Sequence, residues 1–308
     1  MTSYYRVMLG ARSAFAKQCF EGGFIGADFE IGNDLSRDLP DEWRDFNQKY
    51  IPVWLDAHPG KTKIAAGLSC GFLWTLAKGI QKGDTVLSPD GQGSYHVGEV
   101  IGDYYHVDGD VLPHRRAVHW LDQVIDRAAM SPALKASTGS IGTVSTITQH
   151  ADEIQALLTG NEKPPLVPSN QEIEDPASFV LEKHLEDFLV QNWSQTDLGK
   201  TFAIFEEDGE KVGQQYQTDT GPIDILAVSK DRKELLVVEL KKGRASDAVV
   251  GQILRYMGYV REVLATEHQT VRGVIIAADD DLRLRRAVSV VPNLAFYRYT
   301  VSFKLFKA

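Results

Sequence analysis

Four prolines within seventeen residues, Pro164, Pro165, Pro168 and Pro176 in the stretch Gly160–Pro176, divide the chain. Proline fixes φ and removes a backbone donor, so neither a helix nor a central strand runs through such a stretch. It reads as an extended, semi-rigid linker. The 308 residues leave enough chain on each side to bury a separate core. Domains over 1–160 and 177–308 are therefore expected, joined by 161–176.

The two sides follow different patterns. Before the linker, Asp84–Ser88, Ser94–Val100, Tyr104–Val107 and His114–Leu121 alternate apolar and polar residues between glycines. Ser13–Phe20, Ile64–Lys78 and Ala151–Leu158 have helical spacing. This predicts a small mixed β-barrel with helices packed on it. After the linker, the spacing predicts a helix over Ser178–Trp193, then strands over Thr201–Glu206, Gly221–Val228 and Glu234–Leu240. A long helix over Ala245–Leu264, an apolar strand over Val271–Ala277, a short helix over Leu282–Ser289 and final strands in Leu294–Leu305 follow. That order calls for an α/β core, a central mixed sheet with helices on both faces.

Composition excludes several classes. Hydrophobic residues at 43% and charged residues at 24% describe a globular chain. Two cysteines, Cys19 and Cys70, are too few for a disulfide framework or a cysteine-rich zinc site. The longest apolar run, Ile64–Ala77, is too short to span a bilayer, and no signal-peptide core is visible. A soluble cytoplasmic protein is expected, without a membrane partner. The net charge is −9, and neither half is basic. A nucleic-acid surface, if present, is a local groove.

The sharpest chemistry lies in Gly221-Pro-Ile-Asp224-Ile-Leu-Ala and Val237-Val-Glu239-Leu-Lys241. The spacing allows strand, turn and strand, which puts Asp224 and Glu239 on adjacent strands. Glu239 and Lys241 are two apart on one strand and share a face, while Leu240 points the other way. Such a face offers two carboxylates and an ammonium. Oxygen ligands suit Mg²⁺ or Mn²⁺, which stabilises charge on a phosphate undergoing displacement. Lys241 is placed to orient water or stabilise the oxyanion. The apolar residues around the carboxylates mark interior strands, where a charge needs a reason.

With these residues in view, Phe179–Ala278 resembles the nuclease domain of the NucS/EndoMS mismatch endonucleases, within the PD-(D/E)XK superfamily. The matching stretches are Leu181–Asn192, Gly221–Leu226, Val238–Ala245 and Gln252–Tyr256. The resemblance implies a restriction-endonuclease-like α/β core. It implies metal-binding carboxylates at Asp224 and Glu239, a catalytic lysine at Lys241, and Glu182 as the helix carboxylate facing the site. Glu186 is the alternative, as a solvated helix charge. Gln252 and Tyr256 share a helix face overlooking the site, with Tyr256, Lys242 and Arg244 contacting substrate.

In the first half, Lys82–Leu87, Val97–Val100, Gly102–Tyr105 and His114–Trp120 look like modules of the EVE/PUA/YTH-like class. That resemblance implies a PUA-like barrel reading a flipped, modified base in an aromatic pocket. The candidates are Trp120, Trp74, Tyr104 and Tyr105, with Phe24 near the mouth. Arg115 and Arg116 are candidates for gripping phosphate.

Together these features predict a metal-dependent DNA endonuclease acting on double-stranded DNA that carries a modified base, as in modification-dependent restriction of invading DNA. The alternatives are a repair endonuclease for mismatched or branched DNA and a non-catalytic DNA-binding module. Cutting both strands calls for two active sites, hence a homodimer.

Overall fold

The computed structural model describes residues 2–32, 34–139, 142–159, 185–207, 210–280 and 282–300. The chain divides into two compact units, Met1–Ile173 and Glu174–Ala308. The stretch read as a linker and the start of the helix expected from Ser178 lie outside the described residues.

The first unit is built on β1 (Tyr4–Val7), β2 (Phe24–Ala27), β3 (Thr85–Pro89), β4 (Ser94–His106), β5 (His114–Asp126) and β6 (Val144–Thr146). The strands form one mixed sheet in the order β2-β5-β4-β3-β1-β6. Among the described residues its two ends are not paired with each other, so these strands make an open sheet where a barrel was expected. Its helices are α1 (Ala16–Gly22), α2 (Trp43–Ala57), α3 (Lys63–Trp74), α4 (Pro132–Thr138) and α5 (Ala151–Thr159). Thr62 starts α3 by accepting the N–H of Ala65 with its side chain.

Alternation along the strands gives the sheet two apolar faces. Val7, Val86, Val100 and Val118 pack with Cys19, Phe72 and Leu76 on one side. Tyr4, Leu87, Val97 and Ile125 pack with Leu134 of α4 and Ile154 of α5 on the other. Ser94–Val100 and Tyr104–Val107, expected as separate strands, belong largely to β4. β4 runs on through Gly102, where its pairing with β5 shifts register between Val100 and Tyr104; a Cβ there would stand 2.8 Å from the Cβ of Ala117, so the hairpin needs glycine for close approach.

In the second unit, residues 185–191 form α6, followed by α7 (Asp197–Thr201), α8 (Ala248–Tyr259) and α9 (Leu282–Ser289). Its strands are β7 (Phe202–Ile204), β8 (Gln214–Thr218), β9 (Gly221–Ser229), β10 (Glu234–Arg244), β11 (Thr270–Asp279) and β12 (Leu294–Arg298). The order is β12-β11-β10-β9-β7, with β8 also on β9. β10, β11 and β12 are mutually parallel, and β9 is antiparallel to β10. β7 pairs with the last third of β9 and β8 with its first half. The expected central mixed sheet is present, with helices on both faces. Leu189 and Val190 of α6 join Ile225, Ala227, Leu236, Val238 and Leu240 on one face. On the other, Ile253 and Met257 of α8 lie over Gly273. No described helix is long and apolar enough to cross a membrane.

Candidate active site

β10 is buried continuously from Leu235 to Leu240, then emerges through half-buried Lys241, Lys242 and Gly243 to exposed Arg244. The chemistry gathers where the strand leaves the core. Glu239 is 2% exposed, and its Oε1 stands 3.4 Å from the Lys241 Nζ. A carboxylate this deep needs a charged partner, and the lysine two residues on shares its face.

Asp224 comes in from β9. Val238 lies across from Ile225, so the next pair outward sets Asp224 beside Glu239. One Asp224 oxygen accepts the backbone N–H of Leu240 at 2.7 Å, and the other accepts the Gln215 amide at 3.2 Å. The carboxylate is thereby tied to β10 midway between Glu239 and Lys241.

α8 supplies the roof. Gln252 donates to the Tyr256 hydroxyl at 3.4 Å, as the four-residue spacing predicts. Tyr256 is 4% exposed. Its hydroxyl stands 3.0 Å from where a Cβ on Gly221 would be, and Gly221 has φ +120°. Glycine there satisfies both the backbone and the close approach. Burial pushes the Tyr256 phenol up, and the charges of Glu239 and Asp224 push the same way against the Gln252 hydrogen bond. It remains a neutral O–H group facing two carboxylates.

Glu182 lies outside the described residues. Glu186, expected as a solvated charge, is instead 3% exposed. It accepts the Gln214 amide at 2.6 Å and a short hydrogen bond from Gln215. Gln215 thus bridges Glu186 to Asp224. Its backbone is turned to φ 52°, which interrupts the regular run of β8. Both glutamines were missed in the sequence, where β8 is too polar to announce a strand. Lys242 accepts the Tyr299 hydroxyl on its carbonyl, and Arg244 donates to the Asp280 carbonyl at 3.2 Å.

Asp224 and Glu239 are the oxygen donors available to a cation. Among the described residues no group of three His, Cys, Asp or Glu side chains is arranged to hold one. Two carboxylates on adjacent strands still fit Mg²⁺ or Mn²⁺, since Mg²⁺ takes one or two carboxylates and completes its shell with water and substrate phosphate. With Lys241 alongside, the arrangement is chemically suited to displacement at a phosphate.

The candidates in the first unit do not converge. Trp120 donates to the Cys19 carbonyl at 3.1 Å and meets Phe20 edge-on, and Phe20 stacks on His96 at 3.8 Å. Tyr104 lies several residues further along the same hairpin, where its hydroxyl accepts the Leu35 N–H and bonds His114 Nδ1 at 2.8 Å. Trp74 donates to the Pro40 carbonyl against Trp43. Tyr105 is half-buried and pairs across the hairpin with Arg115. Phe24 is 4% exposed beneath the Arg115 guanidinium, which stands 3.9 Å from its ring.

The phosphate-gripping role expected of Arg115 and Arg116 is corrected by their burial, at 7% and 4% exposure. Arg115 is used by Asp110 and the carbonyls of Leu112 and Val111. Arg116 is used by the carbonyls of Leu76, Ala77 and Gly102. Both guanidiniums satisfy internal acceptors.

Comparison with known proteins bears on each unit separately. Residues 182–286 match the family model of the Endonuclease NucS C-terminal domain, a span holding Asp224, Glu239, Lys241, Gln252 and Tyr256. Residues 5–149 match the model of a Domain of unknown function (DUF8426).

Among individual proteins, Endonuclease NucS of Methanocaldococcus jannaschii is 32% identical over 74 residues, 24% of this chain and 27% of the relative. Endonuclease NucS of Sulfolobus acidocaldarius is 28% identical over 105 residues, 33% of this chain and 36% of the relative. The match therefore spans only 27% and 36% of these relatives' lengths. The crystal structure of a repair endonuclease from Pyrococcus abyssi aligns over 68% of this chain and 66% of that one. The sequence identity is 14% and the TM-score 0.32, too low to equate the two arrangements.

Proposed function

We propose that the second unit is a divalent-metal-dependent DNA endonuclease that hydrolyses phosphodiester bonds, and that the first unit selects the DNA. The observation that carries this is the closure of Asp224 onto β10 between Glu239 and Lys241. Asp224 and Glu239 would hold Mg²⁺ or Mn²⁺. When bound, the cation supplies neutralisation of the phosphate oxygens and a more acidic water. Lys241 orients the attacking water or donates to a phosphoryl oxygen as charge develops there. Tyr256 offers a neutral hydroxyl, and Gln252 holds it. Glu186 and Gln215 fix the orientation of Asp224. Lys242 and Arg244 meet the backbone of the duplex. A homodimer supplies the second site that cutting both strands requires.

Two substrate classes follow from two observations. The match to the Endonuclease NucS C-terminal domain favours repair-type cutting of mismatched or branched DNA. The Phe20–His96–Trp120 cluster favours a reader of modified bases, since aromatic faces stack bases. A purely binding module would not need Asp224, Glu239 and Lys241 together.

Digestion of plain, methylated, mismatched and branched duplexes with Mg²⁺, Mn²⁺ or excess EDTA tests these readings. Metal-dependent cutting that EDTA abolishes is expected, and the preferred duplex selects between repair and modification. Cutting in EDTA, or no cutting of any duplex, overturns the metal-dependent nuclease.

A further inference from the structure

The sheet of the second unit carries its charges in a row. Lys241 on β10 lies across from Ala277 on β11, and Ala277 lies across from Arg298 on β12. Residues directly opposite on neighbouring strands present side chains to the same face. Arg298 therefore shares a face with Lys241, and with Glu239 two residues earlier on β10. Two inter-strand steps separate the Lys241 and Arg298 backbones, roughly 10 Å. The residue between them, Ala277, is too small to screen one cation from the other.

One row deeper, Glu239 is followed across the sheet by Ile275 and Phe296, and beyond that Ile253 and Met257 of α8 cover Gly273. Beyond the charged row the ladder shifts register and ends at the exposed Arg244 and Asp279. The Arg298 side chain is 56% exposed. Its ion-pair partner, Asp279, is 59% exposed and 4.0 Å away, the outer limit of such a pair. The neighbouring Asp280 is already engaged by Arg285 through two hydrogen bonds of 2.5 and 2.9 Å. A solvated pair at that distance is weak and screened by salt. A phosphate arriving at this face competes readily with Asp279.

We infer that Arg298 is a positioning residue that grips a backbone phosphate of the DNA one or two nucleotides from the phosphate attacked at Lys241. The inference rests on the nuclease reading. The row length matches it, since successive phosphates of one strand wind around the axis and lie further apart than the ~3.4 Å axial rise, so roughly 10 Å reaches the next phosphate or the one after it. The chemistry matches it too, because a guanidinium holds a phosphate by two parallel hydrogen bonds. Lys241 then anchors the reacting phosphate and Arg298 fixes the direction of the strand across the sheet.

The test uses the full chain, a duplex that it cleaves, and binding measured in Ca²⁺ over a series of salt concentrations. Arg298→Ala is expected to weaken binding several-fold on every duplex. It should also lower the slope of log affinity against log salt by about 0.9, the value for one lost phosphate contact. In Mg²⁺ it should raise KM and leave kcat near that of the unaltered chain. Arg298→Lys should restore the salt slope but only part of the affinity. A thermal melt shows whether each variant retains its fold. An Arg298→Ala chain that binds with unaltered affinity and slope while the unaltered chain still cuts overturns this inference alone. A fall in kcat at constant KM also overturns it. An unaltered chain that neither binds nor cuts DNA overturns the nuclease reading and this inference together.

Discussion

The Asp224 carboxylate accepts the backbone N–H of Leu240 at 2.7 Å. This bond ties β9 to β10 one pair beyond the last paired residues, Val238 and Ile225, while the other Asp224 oxygen accepts the Gln215 amide. Asp224→Asn keeps an acceptor for Leu240 but loses the charge. We expect cleavage to fall by at least ~10²-fold with the melting temperature little changed. A kcat assay beside a thermal melt checks both, and cutting at the unaltered rate would remove Asp224 from the mechanism.

Lys241→Met should abolish most cleavage, again by about 10²-fold or more. It also leaves the buried Glu239 carboxylate without its ammonium neighbour, so some stability is lost. Adding Glu239→Gln removes the charge that was stranded. The double variant should therefore melt higher than Lys241→Met alone, with a coupling of about 0.5–3 kcal/mol. Additive melts in a double-mutant cycle would show that the 3.4 Å pair contributes nothing to folding.

Gln215→Ala breaks the bridge between Glu186 and Asp224. Removing one partner of a buried acceptor costs about 1–3 kcal/mol. Cleavage should fall by less than in Asp224→Asn, because the carboxylate is misaimed and not removed. Urea unfolding gives the stability and single-turnover kinetics the chemical step. An activity loss as large as that of Asp224→Asn would place Gln215 in direct contact with the reaction.

His114 makes the first unit sensitive to acid. Its ring is fully buried, between the Tyr104 hydroxyl at Nδ1 and the Ile31 carbonyl, 2.7 Å from Nε2. The carbonyl can only accept, so Nε2 carries the proton and the Tyr104 hydroxyl donates to Nδ1. Burial pushes the Tyr104 phenol up to about 12 and holds the imidazole below its ordinary value. Above about pH 6.5 folded and unfolded states are both neutral at this group. Below it the unfolded chain takes a proton that the folded chain resists. Stability then falls by up to about 1.4 kcal/mol per pH unit until the folded pKa is reached. His150, also held low by burial, adds in the same direction. Melting temperatures between pH 7.5 and 5 should show this decline, and His114→Gln should flatten it. An equal decline in the variant would assign the acid sensitivity elsewhere.

Much of the second unit was legible because its strands are written in apolar alternation. The expected strand Gly221–Val228 is β9 less one residue, and Leu282–Ser289 coincides with α9. β8 was invisible because Gln214–Thr218 holds a single large apolar residue, the buried Tyr216, among polar neighbours. It is a strand because β9 offers it a ladder. Glu182 and Glu186, one helical turn apart, look alike to a periodicity argument. Only the position of Gln215 shows that Glu186 is buried. In the first unit the glycines hide the continuity of β4, since Gly102 has the form of a break but marks a register shift within one strand that closes on Ala117. Arg115 and Arg116 looked like a surface pair because the carbonyls that bury them come from residues far away in sequence or in a loop.

The register of β10 has a consequence for how such a chain changes over time. Leu240 faces the cluster of Ile225, Val238 and Ile276, and the charges on either side face the opposite way. One residue inserted between Val237 and Lys241 would exchange those faces, driving an ammonium into the apolar cluster and a leucine into the site. Packing and catalysis would be lost in one step, with no half-working ancestor between. A single-residue change of length here is therefore far costlier than a substitution. Descendants can lose their activity by substitution at Glu239 or Lys241 and keep the fold, whereas a one-residue slip gives up packing along with activity.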